Sequence, residues 1–360
     1  MQNYISDSEI IKLSKNFGSR VIQIKRPDLS PFSAKARLAL FFKIKRGEQL
    51  DYPRQFWIEI TNECNLKCIM CPISNGLKRK KMTMGMEAFV RIIDQIYMVK
   101  PRVVLHVAGE PMLNNSLCDM IKYAKNKGCS VGMNTNATLL TKEMSEKILE
   151  SKLDSISFSF DGFTAEVYEK IRVGAKFNLV KSQIESFLDM VSKRKDNNLF
   201  TQIQIIVLKE TRGQLFDFLA YWLGKKIDQV TFKFPGDWLG LINTVPEDRR
   251  KTFGHRFCRC IFHKCTILVD GTVVSCCADI EGRLPLGNIL EKSFNEIWNG
   301  ETYNCLRKKH LENNIPRNII CYGCIGRYSW SKFEQIAEWL LGNIFWRHHL
   351  FESKRHRIYE

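Results

Sequence analysis

Histidine is scarce in this sequence, and long apolar runs are missing. The chain has 7 histidines against 13 cysteines in 360 residues, so zinc sites that complete a cysteine pair with histidines lack their usual partners. No stretch of about 20 apolar residues occurs, which excludes a helix spanning a bilayer. The opening residues Met1 to Asp7 lack the basic and apolar regions of a secretion signal, so the expected compartment is the cytoplasm. In a reducing compartment, 13 cysteines point to metal ligation instead of a disulfide framework. None of G-x4-G-K-S/T, H-E-x-x-H or G-x-G-x-x-G is present, so phosphate-loop, zincin and dinucleotide-binding readings have no motif behind them. Internal repeats and low-complexity tracts are absent too.

What is present is the composition of a globular protein, 44% apolar and 26% charged, with length enough for a barrel and an appendage. The net charge of +17 needs a partner or an explanation. Residues 1–50 carry ten Lys/Arg against four Asp/Glu, and Ser33 to Arg46 reads as a basic amphipathic helix. Phe333 to Arg347 repeats that pattern, with Ile336, Trp339, Leu340, Ile344 and Phe345 at helical spacing, before a basic tail at Lys354 to Arg357. Two uses suit such helices. Either they pack on the main domain with their charges solvated, or they rest peripherally on the anionic inner membrane surface. Nucleic acid is the weakest of the possible partners.

The most informative stretch is Cys64-Asn65-Leu66-Lys67-Cys68-Ile69-Met70-Cys71. Its C-x3-C-x2-C spacing offers three thiolates from one loop. Four-iron clusters are held by cysteine thiolates, normally four. A loop giving three leaves one iron open, and an open position separates a reactive metal site from a structural one. A zinc knuckle is the competing reading. The loop follows a strand-like run, Phe56 to Asn62, and strands and helices then alternate. Strands are expected at 102–107, 130–134, 155–160, 202–208 and 229–234. Helices are expected at 116–127 and 142–151, over a long region to about 194, and at 213–224. Six β/α steps of this kind predict parallel βαβ units, and ligands of such folds bind at the carboxyl ends of the strands.

Thr61-Asn62-Glu63-Cys64 through Cys71-Pro72 resembles the signature of radical S-adenosylmethionine (SAM) enzymes. Ala108-Gly109-Glu110-Pro111 is similar to that family's Gly-Gly-Glu-Pro motif, with alanine in the first place. Asn134-Thr135-Asn136-Ala137 is close to its Thr-Asn-Gly, and Ser159-Phe160-Asp161-Gly162 to its Ser-Ile-Asp-Gly. The resemblance implies an α/β fold, a partial (β/α)6 TIM-like barrel over residues 52–235. It implies a SAM-coordinating 4Fe-4S cluster on Cys64, Cys68 and Cys71. It implies SAM contacts from Gly109, Glu110, Thr135, Asn136, Ser159 and Arg172. A flavodoxin or ferredoxin would donate the electron that cleaves SAM to a 5′-deoxyadenosyl radical, which abstracts a substrate hydrogen.

A second cysteine group spans 258–324. Thr266 to Cys277 reads as a β-hairpin turning at Asp270-Gly271. Gly271-x4-Cys276 and Cys321-x2-Cys324 resemble the SPASM auxiliary-cluster domain, implying one auxiliary 4Fe-4S cluster on Cys258, Cys276, Cys321 and Cys324. Cys260 can substitute for Cys258 and Cys277 for Cys276, and a zinc ribbon is the alternative. Cys118 and Cys129 are expected to be packing residues. The organisation expected is a basic helical extension (1–51), the barrel (52–235), a linker (236–254), a SPASM-type domain (255–330) and an amphipathic basic C-terminal helix and tail (331–360). The function expected is oxidation or modification of a small-molecule, sugar or glycan-type substrate. The alternatives are a peptide or protein maturase and a non-catalytic iron–sulfur protein. No catalytic acid or base is assigned.

Overall fold

The computed structural model describes residues 51–324 except 195–197, 226, 234, 237, 243–257, 259 and 323. The basic helices expected at both ends therefore lie outside the described residues, as does most of the linker. Among the described residues no helix is long and apolar enough to cross a membrane.

The chain alternates as the sequence pattern requires. β1 (Gln55–Ile58) is followed by α1 (Met86–Ile96), β2 (Arg102–Val104), α2 (Leu117–Asn126), β3 (Ser130–Thr135), α3 (Lys142–Glu150) and β4 (Ser155–Ser159). Then come α4 (Ala165–Ile171), α5 (Phe177–Lys193), β5 (Phe200–Ile206), α6 (Leu215–Gly224) and β6 (Gln229–Lys233). β1 to β6 pair in consecutive order, all parallel, which gives the partial (β/α)6 TIM-like barrel. The long helical region expected up to 194 is two helices, because Gly174 adopts φ +100° between them. Strand 1 is shorter than expected. After Ile58 the backbone leaves the ladder and bridges instead at Thr61–Thr83. Helix α1, for which no expectation was stated, buries Phe89, Ile92, Ile93 and Ile96 on one face.

The two faces of the sheet differ in character. Ile156 and Phe158 of β4 point to the helices, where Phe158 meets Phe187 of α5 edge-on at 5.7 Å. Ser155, Ser157 and Ser159 alternate with them and occupy the inner face. By register Gln202 and Gln204 of β5 share that face, as do Thr231 and Lys233 of β6.

The cysteine-rich segment is not detached from this sheet. A short helix α7 (Cys260–His263) leads into β7 (Lys264–Ile267), which pairs in parallel with β1 on its free side. β8 (Thr272–Val274) and β9 (Pro285–Asn288) continue antiparallel, making one nine-stranded sheet. The hairpin falls where the Asp-Gly signal put it. Gly271 has φ +84°, and a Cβ there would meet Asn288 Oδ1 at 2.6 Å. α8 (Phe294–Trp298), opened by a Ser293/Glu296 capping box, and α9 (Glu301–Leu311) close the segment.

One buried ion pair fastens the two parts. Glu59, at the end of β1, has no exposed surface and accepts from Arg79 Nη2 at 2.8 and 2.9 Å. It also accepts from the amides of Val269, in the hairpin, and Ala108. Arg79 Nε donates in turn to Ile280 O at 2.6 Å. Burial raises the Glu59 pKa, and the Arg79 charge and amide donors oppose that rise. Removing one partner leaves a charge buried alone. Arg79→Met is thus expected to cost about 3–5 kcal/mol in denaturant unfolding, and the double variant Glu59→Gln/Arg79→Met clearly less. Equal losses in the two would contradict the pairing.

Candidate active site

The residues singled out around the first cysteine group gather where the parallel strands end. The loop after β1 carries Cys64, Cys68 and Cys71, and its backbone is laced onto the end of α4. Lys67 N–H donates to Val173 O at 2.9 Å and Ile69 N–H to Ile171 O at 3.0 Å. Asn62 braces the entry, its amide donating to Lys80 O and accepting from Met82 N–H, both at 2.8 Å. All thirteen cysteines carry free thiols. Burial raises the Cys64 and Cys68 thiols and pushes Cys71 up to about 11. The three thiols act on one another electrostatically, so they share one patch.

A cation waits beside them. Arg172 forms a hydrogen bond with Cys68 and an ion pair with buried Asp161, Nη2 to Oδ2 at 2.5 Å and Nε to Oδ2 at 2.7 Å. Burial works against its charge, but Asp161, Cys68 and Tyr168 more than offset that and hold the guanidinium charged. Such a cation suits a buried group carried on thiolates, whose negative charge otherwise stays uncompensated. Asp161, which links Arg172 to the Ile206 amide at 2.5 Å, has this role only through the fold.

Glu110 joins the ends of β2 and β3. Its carboxylate is buried and accepts from Thr135 Oγ1 at 2.7 Å, Asn136 N–H at 2.7 Å and Met112 N–H at 3.2 Å. An ionised carboxylate has about four acceptor positions, so room for a further donor remains. Burial raises its pKa and these donors work to lower it. The Glu110 amide donates to Glu63 O at 2.8 Å, fixing the motif against the cysteine loop. Gly109 makes that approach possible. Its φ is +76°, and a Cβ would lie 2.5 Å from Thr61 O and 2.7 Å from Glu63 O. Asn136 reaches the loop as well, donating to Asn65 Oδ1 at 3.0 Å, with Cys64 Sγ at 3.9 Å. Ser159 stands one strand further on and accepts from Gln204 Nε2 at 2.8 Å.

The second cysteine group also converges. Its hydrogen bond to Cys260, burial, and the charges of Cys260, Cys324 and Cys321 raise Cys258. Cys276 is raised by its hydrogen bond to Cys277, by burial and by the charges of Cys277, Cys324 and Cys258. Six thiols therefore meet, including both expected substitutes. His310 on α9, which had no sequence signal, accepts the Cys258 amide at Nδ1, 3.1 Å away. Cys265 is buried elsewhere, near Tyr303 and Arg307, and Cys305 is exposed. Among the described residues no three His, Cys, Asp or Glu side chains close on a point that would hold a single metal ion. Both donor sets are all thiol, as iron–sulfur clusters require.

Comparison with known proteins agrees with this geometry. Residues 58–221 match the radical SAM superfamily model, and residues 258–325 match the SPASM model, an iron–sulfur cluster-binding domain. The chain belongs to the radical SAM superfamily and is an enzyme of that class. Within it, the chain is one of the members carrying a C-terminal SPASM domain. Its cofactors are those of the class: a 4Fe-4S cluster, SAM and auxiliary iron–sulfur. It is 24% identical over 302 residues to the tungsten-containing aldehyde ferredoxin oxidoreductase cofactor-modifying protein of Pyrococcus furiosus, covering 71% of this chain and 83% of that one. It is 28% identical over 180 residues to the mycofactocin maturase MftC of Mycolicibacterium smegmatis, covering 49% of this chain and 43% of that one. The fold is similar to Streptococcus suis SuiB bound to precursor peptide SuiA, with TM-score 0.60, 16% identity, and 89% and 82% of the two chains covered.

Gly109→Ala is expected to strip the reconstituted protein of about half its iron, because the loop cannot keep its place against Thr61 and Glu63. Iron analysis after anaerobic reconstitution checks this. A fully loaded, stable variant would show that the close approach is dispensable.

Proposed function

We propose that Cys64, Cys68 and Cys71 hold a 4Fe-4S cluster, with SAM bound between it and the strand ends bearing Gly109, Glu110, Thr135, Asn136 and Ser159, beside Arg172 at the end of α4. The observation carrying this reading is the single patch formed by three thiols, one engaged cation and a carboxylate with an acceptor position to spare. When bound, this pair of groups supplies a 5′-deoxyadenosyl radical that removes a hydrogen atom from the substrate. The chain's own part is positional. Glu110 would accept from the SAM amino group, its carboxylate held by Thr135 and Asn136. Arg172, fixed by Asp161, balances the charge of the thiolates. Buried Leu66, Met70 and Ile171 keep water from the loop. Cys258, Cys276, Cys321 and Cys324 hold one auxiliary cluster, with Cys260 and Cys277 in hydrogen-bond contact as alternates. A small electron-transfer protein such as a flavodoxin or ferredoxin supplies the electron.

The substrate in this reading is a small-molecule, sugar or glycan-type compound, supported by the polar inner face of the barrel. A second reading, a peptide maturase, is favoured by the likeness to a protein named as a maturase and to one solved with a precursor peptide. Peripheral membrane contact would rest on the two terminal segments, which lie outside the described residues. Anaerobic reconstitution with dithionite and SAM tests the common chemistry. The wild type is expected to release 5′-deoxyadenosine, and Cys68→Ala to lose that activity by at least about a thousandfold, as loss of an essential group does. Absence of the product in the wild type, or its persistence in the variant, refutes the reading.

A further inference from the structure

The inner face of the barrel holds polar atoms that the proposed SAM site does not use. Trp57 on β1, Ser157 on β4 and Gln204 on β5 lie on that face by register, and His106 follows two residues beyond Val104, the partner of Trp57. Trp57 Nε1, His106 Nδ1, Ser157 Oγ and Gln204 Oε1 are shielded from solvent, and none has a hydrogen-bond partner among the described residues. Ser157 and Gln204 expose only 7% and 9% of their surface. Trp222 Nε1 and the Tyr168 hydroxyl are also unpartnered, but both side chains pack against Phe160, and Arg79 Nη1, Gln183 Oε1 and Ser275 Oγ are not among the inner-face residues of β1 to β6. Folded proteins satisfy nearly all buried polar atoms, so four on one face call for an explanation.

Their chemistry narrows the occupant. An indole N–H only donates and an amide oxygen only accepts, while a hydroxyl and a neutral imidazole do either. His106 is neutral at ordinary pH, because burial, with Lys233 and Arg172 nearby, pushes its pKa down to about 4. The carboxylates of this end are already engaged: Glu59 by Arg79, Glu110 by Thr135 and Asn136, Asp161 by Arg172. Donors and acceptors thus alternate on a stretch of wall whose nearby charges are the cations Lys233 and Arg172. A hydroxyl group meets both kinds from a single atom, and a ring carrying several hydroxyls offers such an atom to more than one of them. A peptide brings its donors and acceptors at fixed backbone intervals and sets apolar side chains against polar groups.

We propose that Trp57, His106, Ser157 and Gln204 form the substrate-recognition wall, and that the substrate is a hydroxyl-rich ring, a sugar or a cyclic polyol. This rests on the proposed activity of the same barrel.

Calorimetric titration of the anaerobically reconstituted, SAM-loaded holoenzyme tests it, with glucose, N-acetylglucosamine and myo-inositol as ring probes and tetraalanine as the peptide probe. At least one ring is expected to bind, and tetraalanine is not. Ser157→Ala and Gln204→Leu should each weaken ring binding about five- to tenfold. Trp57→Phe, which keeps an aromatic ring in place, serves if either variant fails to fold. Failure of all three rings to bind overturns the proposal, as does binding of tetraalanine alone, or ring binding that all the variants leave intact. SAM cleavage without any probe is scored separately. Cleavage without ring binding sinks this inference alone, and ring binding without cleavage sinks the proposed activity while leaving the wall standing.

Discussion

A carboxylate with no access to water sets the terms for the rest of the molecule. Glu59 cannot stay ionised at the end of β1 without donors, and the fold brings them from three separate places. Arg79 comes from the segment after the cysteine loop, the Val269 amide from the hairpin, and the Ala108 amide from the motif after β2. Satisfying one buried charge therefore fixes the cysteine loop's exit, the glutamate-bearing turn and the cysteine-rich segment relative to one another. The parallel pairing of β7 with β1 is the backbone side of the same joint.

From that joint the site follows by contact. Glu110 N–H reaches Glu63 O, its carboxylate reaches Thr135 and Asn136, and Asn136 reaches Asn65 in the cysteine loop. Asp161 then holds Arg172 against Cys68. These contacts tie the cysteine loop to the turns after β2 and β3 and to the end of α4. Fixed positions of this kind are what a site directing a reactive radical needs.

Much of this was legible in the sequence because it is local. The C-x3-C-x2-C loop, Ala108-Gly109-Glu110-Pro111 and Asp270-Gly271 each carry their meaning within a few residues, and strand–helix alternation gave the barrel. What escaped was non-local or hidden by burial. Glu59 and Val269 are 210 positions apart, and no short-range pattern links them. The joining of β7 to β1 escaped for the same reason, since a hairpin signal says nothing about which strand it will flank. Gly174 looked compatible with one long helix until its positive φ split it. His106 sits within a strand-like run where a histidine reads as ordinary, and only the burial of its unpartnered Nδ1 sets it apart. Cys260 and Cys277 could not be separated from Cys258 and Cys276 by spacing, and the fold brings all four together.

The proposed site has one cluster on Cys64, Cys68 and Cys71 with an iron open to SAM, and another closed by the later cysteines. Iron analysis and low-temperature electron paramagnetic resonance of the dithionite-reduced protein, with and without SAM, test it most directly. The wild type should hold about eight irons, and the Cys64→Ala/Cys68→Ala/Cys71→Ala variant about four. SAM should alter the wild-type spectrum and leave the variant's unchanged. A variant that keeps all its iron, or a wild-type spectrum indifferent to SAM, would contradict the account.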